Sequence, residues 1–112
     1  MLKQRDIYLI HFGPGKGHEY QHVRPGIVLM ADDCLKNAHV ISCVSLTSNT
    51  ENFIADDVFL NKDRSNKLSK DSVVKMHHIT GCDKSRMIKF VGRVEDKDWN
   101  VLHTKLTRIF GI

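Results

Sequence analysis

The sequence predicts a mainly β protein that ends in one α-helix and folds as a small barrel or curled sheet. Its 112 residues correspond to about one domain, so we expect residues 1–112 to form a single unit. Short segments rich in β-branched and aromatic residues recur along most of the chain, which is typical of strands. Only the last segment changes to a helical period. Several strands followed by one amphipathic helix favour this fold class.

The first two strands are predicted on either side of a glycine-rich loop. The segment Asp6–Phe12 carries apolar and aromatic residues on both faces and predicts a buried strand. Three glycines and a proline lie within Gly13–Glu19, and this turn chemistry predicts a long loop. The apolar segment Pro25–Met30 predicts the second strand, because proline is tolerated at the first position of a strand. Arg24 is therefore expected where the loop becomes a strand.

The middle of the chain is predicted to contain two further strands. Asp32–Lys36 is short and polar and predicts a turn or a single helical turn. The β pattern resumes over His39–Leu46 and ends in the small polar residues Thr47–Thr50. Phe53–Leu60 predicts another strand. The lysine-rich segment Asn61–Asp71 predicts a polar connection, which is a candidate for disorder.

Two strands and the helix complete the prediction. The strands are expected over Ser72–His77 and Met87–Val94, with a turn around Gly81–Asp83 between them. Asp96 is the expected N-cap of the helix, because a short acidic side chain satisfies free N–H groups there. The apolar stripe that predicts the helix consists of Trp99, Leu102, Leu106 and Ile109.

The composition restricts the partners and the compartment. The formal net charge of +4 favours partners with negative charge, nucleic acid first among them. The longest apolar run, Gly26–Ala31, is far shorter than the roughly 18 to 20 residues of a membrane span. The first residues carry no apolar region with a cleavage site, so we expect no secretory signal and a cytoplasmic protein.

The cysteines and histidines favour neither a disulfide framework nor a metal site. The three cysteines form no C-x-x-C pair, which predicts free thiols. The seven histidines are expected to be solvated or packed residues rather than ligands. We therefore expect no metal ion and no cofactor.

Three groups of residues are suited to act on a phosphodiester. Arg24 is predicted at a loop–strand junction, Thr47 and Ser48 follow the end of a strand, and His18 and Glu19 lie on the glycine-rich loop. Strand ends and their loops form the mouth of a small barrel, where these side chains would converge. Arginine stabilises phosphorane charge, a hydroxyl holds a non-bridging oxygen, and histidine transfers protons near neutral pH. The alternative is structural: Arg24 pairs with a carboxylate, Thr47 closes a turn and His18 is solvated.

The chain also resembles a known family, the MazF/PemK (Kid-like) toxins of type II toxin–antitoxin systems, over nearly its whole length. The motifs that carry the resemblance, in family order, are Arg5–Leu9, Gly13–Glu19, Arg24-Pro25, Val44–Ser48, Asp71–Val74 and Gly92–Val94. The resemblance implies an SH3-like barrel that forms a homodimer and cleaves single-stranded RNA at short sequences without metal. It also implies a cognate antitoxin that occupies the same groove.

The resemblance assigns roles to individual residues. Arg24 and Thr47 match the catalytic pair of the family, and His18 is a further candidate for proton transfer. The attacking group would be the RNA 2′-hydroxyl, which leaves a 2′,3′-cyclic phosphate and a 5′-hydroxyl. The residues expected to bind RNA are Glu19, Tyr20, Ser48, Lys75 and His77, with Tyr20 suited to stack on an unpaired base.

Two other functions remain open at this point. Lys75, His77 and Thr80 depart from the Arg-x-acidic pair and second arginine that many family members carry. These departures favour, as an alternative, a module that binds RNA or its antitoxin without cleavage. A gyrase-directed toxin of the CcdB type is the third reading and depends on analogy of fold alone.

Overall fold

Six strands form one antiparallel sheet in this computed structural model, which describes residues 1–13 and 23–112. The strands are β1 (Asp6–His11), β2 (Val23–Val28), β3 (Val40–Thr47), β4 (Val58–Leu60), β5 (Ser72–Asp83) and β6 (Met87–Arg93). A single helical turn, α1 (Asp32–Leu35), follows β2, and the C-terminal helix is α2 (Asp96–Phe110). The sheet order is β4-β5-β3-β2-β1-β6. The predicted class, mainly β with a C-terminal helix, is confirmed, although strand pairing does not close the barrel within the described residues.

The main hydrophobic core lies between one face of the sheet and α2. Trp99 and Leu102 are the buried residues of the helix, and Leu106 and Ile109 pack beside them. The buried residues that the sheet contributes are Ile7, Ile27, Val44, Leu46, Val58, Leu60, Val74 and Met76. Removing these side chains from water supplies the main driving force for folding.

A second, smaller core occupies the opposite face of the sheet. It contains Ile10, Cys43 and Cys82, with Phe12 packed against them. The Sγ atoms of Cys43 and Cys82 lie 3.6 Å apart, and both thiols are free. Burial, followed by the neighbouring Cys82, raises the pKa of the Cys43 thiol, which therefore stays protonated and unreactive.

The connection between β4 and β5 is ordered, so the expected disorder of Asn61–Asp71 is wrong. Asn66 is fully buried and acts as the centre of this segment. Its Oδ1 accepts hydrogen bonds from the N–H groups of Asp63 and Leu68, and its Nδ2 donates to the Asn61 carbonyl. One buried polar side chain thus orders the backbone of a segment whose apolar contribution to the core is Leu68.

The same connection covers the far edge of the sheet. The N–H group of Arg93, at the end of β6, donates to the carbonyl of Ser65 at 2.9 Å. A Cβ atom at Gly92 would lie 2.3 Å from the Asn66 carbonyl oxygen, so only glycine permits this approach. The loop after β4 therefore contacts β6, although the two strands themselves do not pair.

Two strand boundaries differ from the prediction for reasons visible in the hydrogen bonds. Phe53–Leu60 contains only a three-residue strand, because the Asp57 N–H group donates to the Ile54 carbonyl and closes a turn. β5 extends further than expected. It continues past His77 to Asp83 by pairing with the first half of β3. The turn predicted around Gly81–Asp83 is therefore part of the strand, and Lys84–Arg86 makes the turn.

Smaller differences affect β2 and α2. β2 begins at Val23 rather than Pro25, and its pairing with β3 starts only at Gly26, so the missing N–H group of Pro25 costs no bond in that ladder. The N-cap of α2 is Glu95, without a side-chain cap, and Asp96 is the first helical residue. Across the described residues, no helix has the length and apolar character that crossing a bilayer requires.

Candidate active site

Arg24 and Thr47 lie together at one end of the sheet. They line a cavity of about 360 Å³, whose other lining residues are Ser45, Asn49, Asn52, Lys75 and His78. Alternation along β2 places Arg24 on the same face as Gly26, which pairs with Ser45 of β3. Thr47, two residues beyond Ser45, faces the same side. The structure therefore brings these two predicted residues together, on the face opposite α2.

Thr47 has a structural role as well as a place in the cavity. The Asn49 N–H group donates to Thr47 Oγ1 at 3.2 Å, and the Glu51 N–H group donates to Asn49 Oδ1 at 3.1 Å. These two bonds end β3 in successive side-chain turns. Because the Thr47 oxygen only accepts here, its O–H group remains available as a donor.

A bulge in β5 determines which side chains reach the cavity. Val44 of β3 pairs with Ile79, but Leu46 pairs with Val74. Residues 75–78 of β5 therefore stand opposite the single residue Ser45. Such bulges bend a strand and redirect its side chains. Lys75 and His78 both line the cavity.

Lys75 is held at the edge of the cavity by two hydrogen bonds. Its Nζ donates to Asp57 Oδ2 at 2.6 Å and to the Asn52 carbonyl at 3.0 Å. The Asp57 side chain is completely buried, and its Oδ1 has no hydrogen-bond partner among the described residues. The ion pair therefore restricts the ammonium group to one position while leaving its third N–H group unused.

The His77 side chain is directed away from the cavity that contains Arg24. Its Nε2 is 3.0 Å from Asp56 Oδ2, and Arg108 of α2 donates to Asp56 Oδ1 at 2.6 and 2.9 Å. These contacts, those of Arg108 first, hold the pKa of Asp56 below its usual range. The three side chains line a separate cavity between β5 and α2.

Ser48 also lines a different cavity, on the face opposite Thr47. This cavity, of about 510 Å³, has an apolar floor that includes Leu9, Pro25 and Leu46. The basic side chains around it are Lys67, Lys70 and Lys89. Ser48 is thus next to Thr47 in sequence but separated from it by the pleat of the strand.

The remaining predicted site residues are His18, Glu19 and Tyr20, which lie outside the described residues. The same segment has a second feature in its sequence. His18 and His22 stand in the order H-E-x-x-H, a spacing that binds zinc when a helix carries it. Among the residues that the structure describes, no group of three or more His, Cys, Asp or Glu side chains is arranged to bind a metal ion.

Sequence reasoning missed five residues of this site: Ser45, Asn49, Asn52, Asp57 and His78. Strict alternation along β5 would place Lys75 and His77 on one face, and nothing in the sequence indicates the bulge that changes this. One signal was present, because two consecutive histidines on a strand face opposite sides. Either His77 or His78 therefore had to face the same side of the sheet as Arg24.

The cavity is lined by two cationic groups (Arg24 and Lys75), the hydroxyl donor of Thr47 and the imidazole of His78. A guanidinium and an ammonium group at adjacent positions attract a phosphate and stabilise charge that develops on it. Amide side chains from Asn49 and Asn52 offer further donors and acceptors. The arrangement is suited to bind one phosphodiester of a nucleic acid and to stabilise a pentacoordinate phosphorus.

Comparisons with known proteins identify relatives of this chain. The chain is 25% identical over 113 residues to an endoribonuclease MazF of Staphylococcus saprophyticus, and the match covers 100% of this chain and 93% of that protein. A crystal structure of MazF from Deinococcus radiodurans has 20% identity and a TM-score of 0.79, covering 99% of this chain and 97% of the other.

A mycobacterial endoribonuclease solved with its cognate antitoxin has 17% identity and a TM-score of 0.80, covering 100% of this chain and 97% of the other. These structural similarities show that the fold is shared. The model of one family, described as PemK-like, MazF-like toxin of type II toxin–antitoxin system, matches residues 3–110. The chain belongs to this toxin family.

Proposed function

We propose that this protein is the toxin of a type II toxin–antitoxin pair and cleaves single-stranded RNA without a metal ion. The observation that carries the proposal is the meeting of Arg24 and Thr47 in one cavity with Lys75 and His78. The related endoribonuclease MazF, aligned over the whole chain, supports the same activity. Cleavage of messenger RNA in the cytoplasm would stop translation and growth.

In the proposed reaction, the RNA supplies its own nucleophile. The 2′ oxygen attacks the adjacent phosphorus, the O2′–P bond forms and the P–O5′ bond breaks. The products are a 2′,3′-cyclic phosphate and a 5′-hydroxyl. Arg24 donates hydrogen bonds to the non-bridging oxygens as their charge grows, since a guanidinium keeps its proton and cannot act as the base.

Thr47 and Lys75 also bind the phosphate in the proposed reaction. The Thr47 hydroxyl donates to a non-bridging oxygen, and the third N–H group of Lys75 contacts the phosphate or its neighbour. Ser48, which lines a different cavity together with three lysines, remains a prediction for contact with RNA. Glu19 and Tyr20 remain predictions for base recognition, and His18 remains a prediction for proton transfer.

The protein is also proposed to act with two kinds of protein partner. One is a second copy of the chain, since the family resemblance implies a homodimer. The other is a cognate antitoxin that covers the cavity containing Arg24 and Lys75, as suggested by the mycobacterial relative solved with its antitoxin. Residues 1–112 would form one toxin domain in this complex.

One observation favours the second candidate function, binding without cleavage. The ammonium of Lys75 is paired with Asp57, and His77 is paired with Asp56. The two residues that stand in place of the Arg-x-acidic pair of many family members are therefore both engaged in ion pairs. A protein limited to binding would hold RNA with Arg24 and Lys75 but leave it intact.

A substitution at Arg24 separates the two candidates. We expect Arg24→Ala to lower the cleavage rate about 10²- to 10³-fold, because it removes one donor to the transition-state charge, while the melting temperature stays unchanged. Arg64→Ala removes the same charge from an exposed loop position and serves as the matched control. Folded wild-type protein that binds single-stranded RNA but leaves it intact would establish the binding-only function instead.

A further inference from the structure

The candidate site contains a histidine to which no role has been given so far. His78 lines the same cavity as Arg24 and Thr47, and it reaches this face because of the bulge over residues 75–78. Its neighbour His77 is engaged by Asp56 on the other side of the strand. In the described part of the chain, His78 forms neither an ion pair nor a side-chain hydrogen bond.

The other side chains of the cavity are unsuited to accept a proton near neutral pH. Arg24, from β2, and Lys75, from β5, contribute cationic groups that donate hydrogen bonds and have no acceptor site. β3 contributes the hydroxyls of Ser45 and Thr47, and the following loop contributes two asparagine amides, none of which titrates in this range. The remaining lining group is the imidazole of His78, and imidazole is the side chain most often used as a general base.

We propose that His78 is the general base of the RNA cleavage reaction, an inference that depends on the proposed function. The neutral imidazole accepts the proton of the 2′-hydroxyl as the O2′–P bond forms. The P–O5′ bond breaks, the 5′ oxygen takes up a proton from a solvent water, and the hydroxide that remains takes the proton back from the His78 imidazolium. The two cations stay bound to the non-bridging oxygens throughout, so the charge that develops on phosphorus is shared between Arg24 and Lys75.

The proposal explains why the bulge belongs at this point of the sheet. Regular pairing between β3 and β5 would leave Lys75 and His78 on opposite faces, because their positions differ by an odd number. The bulge brings both to the cavity. The ion pair with Asp57 then fixes the ammonium, so the imidazole and the ammonium approach a bound phosphodiester from one strand.

The test compares pH–rate profiles of single-turnover RNA cleavage for the wild type, His78→Gln and His103→Gln. His103 is an exposed residue of α2 and controls for the loss of one imidazole. Since an imidazole must be neutral to act as a general base, we expect the wild-type rate to rise with pH. We expect His78→Gln to lose about 10²-fold or more of the rate, together with this rise.

Two further measurements make the outcome decisive. Binding of an RNA whose 2′-hydroxyl is replaced by hydrogen should be the same for wild type and His78→Gln, since the base acts on the proton and not on the phosphate. Added imidazole should restore part of the cleavage by His78→Ala. A His78→Gln variant that keeps the wild-type rate and pH profile would overturn this inference while leaving the proposed function intact. A folded wild type that does not cleave RNA would overturn both.

Discussion

The ion pair between Lys75 and Asp57 lies beside the site and carries a desolvation cost, because the Asp57 carboxylate is buried. The carboxylate is completely buried, the lysine side chain is 17% exposed, and one carboxylate oxygen has no hydrogen-bond partner among the described residues. A buried charge of this kind persists only when its partner is present, because desolvation costs several kcal/mol per ion. The pair therefore couples the stability of the fold to the position of the ammonium group.

This coupling can be measured by a double-mutant cycle. We expect Lys75→Ala to lower the free energy of unfolding by about 3 kcal/mol, since it leaves the Asp57 carboxylate buried without a countercharge. Lys75→Ala combined with Asp57→Ala should lose clearly less than the sum of the two single changes. Urea denaturation gives the four values, and strict additivity would contradict the proposed pairing.

At the scale of single residues, the sequence was most informative where a motif fixed a backbone position. Arg24 beside Pro25 and Thr47 at a strand end could be placed from turn chemistry and from the family resemblance. His78 could not, because its direction depends on a bulge that only the pairing of β3 with β5 creates. His77 was predicted from the family resemblance, and the same bulge directs it to Asp56 instead.

Among the elements, α2 depends on two contacts at opposite ends. Near its start, the Trp99 ring is buried in the main core, and the Arg5 guanidinium lies 5.3 Å above the ring centroid. Near its end, Arg108 donates two hydrogen bonds to Asp56 in the loop before β4. The first contact is mainly apolar and the second is electrostatic, so they respond to different changes.

The apolar contact predicts a large effect of one truncation. We expect Trp99→Ala to lower the free energy of unfolding by about 3 to 5 kcal/mol, because it opens a cavity between α2 and the sheet. Thermal unfolding followed by circular dichroism measures this loss. An unchanged melting temperature would show that the helix does not depend on Trp99 for its packing.

The electrostatic contact predicts a specific pH dependence. The pKa of Asp56 is lowered in the folded protein, by Arg108 first and by His77 second. A lowered folded-state pKa means that the carboxylate stabilises the fold above its ordinary pKa of about 3.9, and that this stability is lost as the pH falls through the folded value. Wild type should therefore be more stable than Asp56→Asn at neutral pH.

The measurement is the difference in melting temperature between the two proteins at a series of pH values. We expect this difference to shrink below about pH 4 and to vanish in stronger acid. Arg108→Gln should reproduce the behaviour of Asp56→Asn. A difference that stays constant across the acid range would show that the ion pair does not produce the shift.

Element types were easier to predict than element ends. Period and composition identified the strands and the helix correctly, because apolar alternation and the apolar stripe persist over several residues. The ends of β4 and β5 were wrong because they depend on partners: an Asp57 turn shortens the first, and pairing with Val40–Val44 extends the second. The order of Asn61–Asp71 was missed since one buried asparagine provides it.

For the molecule as a whole, the net charge of +4 implies that RNA binding depends on salt. Each phosphate contact releases bound counterions, so the logarithm of the affinity for a single strand falls linearly with log salt, by about 0.7 per contact. We expect Lys75→Ala to reduce the magnitude of this slope by about 0.7. Titration of an uncleavable RNA at several salt concentrations measures it, and an unchanged slope would exclude Lys75 from contact with phosphate.

The central claim, metal-independent RNA cleavage through the 2′-hydroxyl, is tested most directly by the ends of the products. A long single-stranded RNA is incubated with the wild-type protein in excess EDTA, and the new ends are mapped and identified. EDTA matters here because His18 and His22 have the spacing of zinc ligands. The account predicts clustered cuts with 5′-hydroxyl and 2′,3′-cyclic phosphate ends. Intact RNA, cleavage that EDTA abolishes, or 5′-phosphate ends would contradict it.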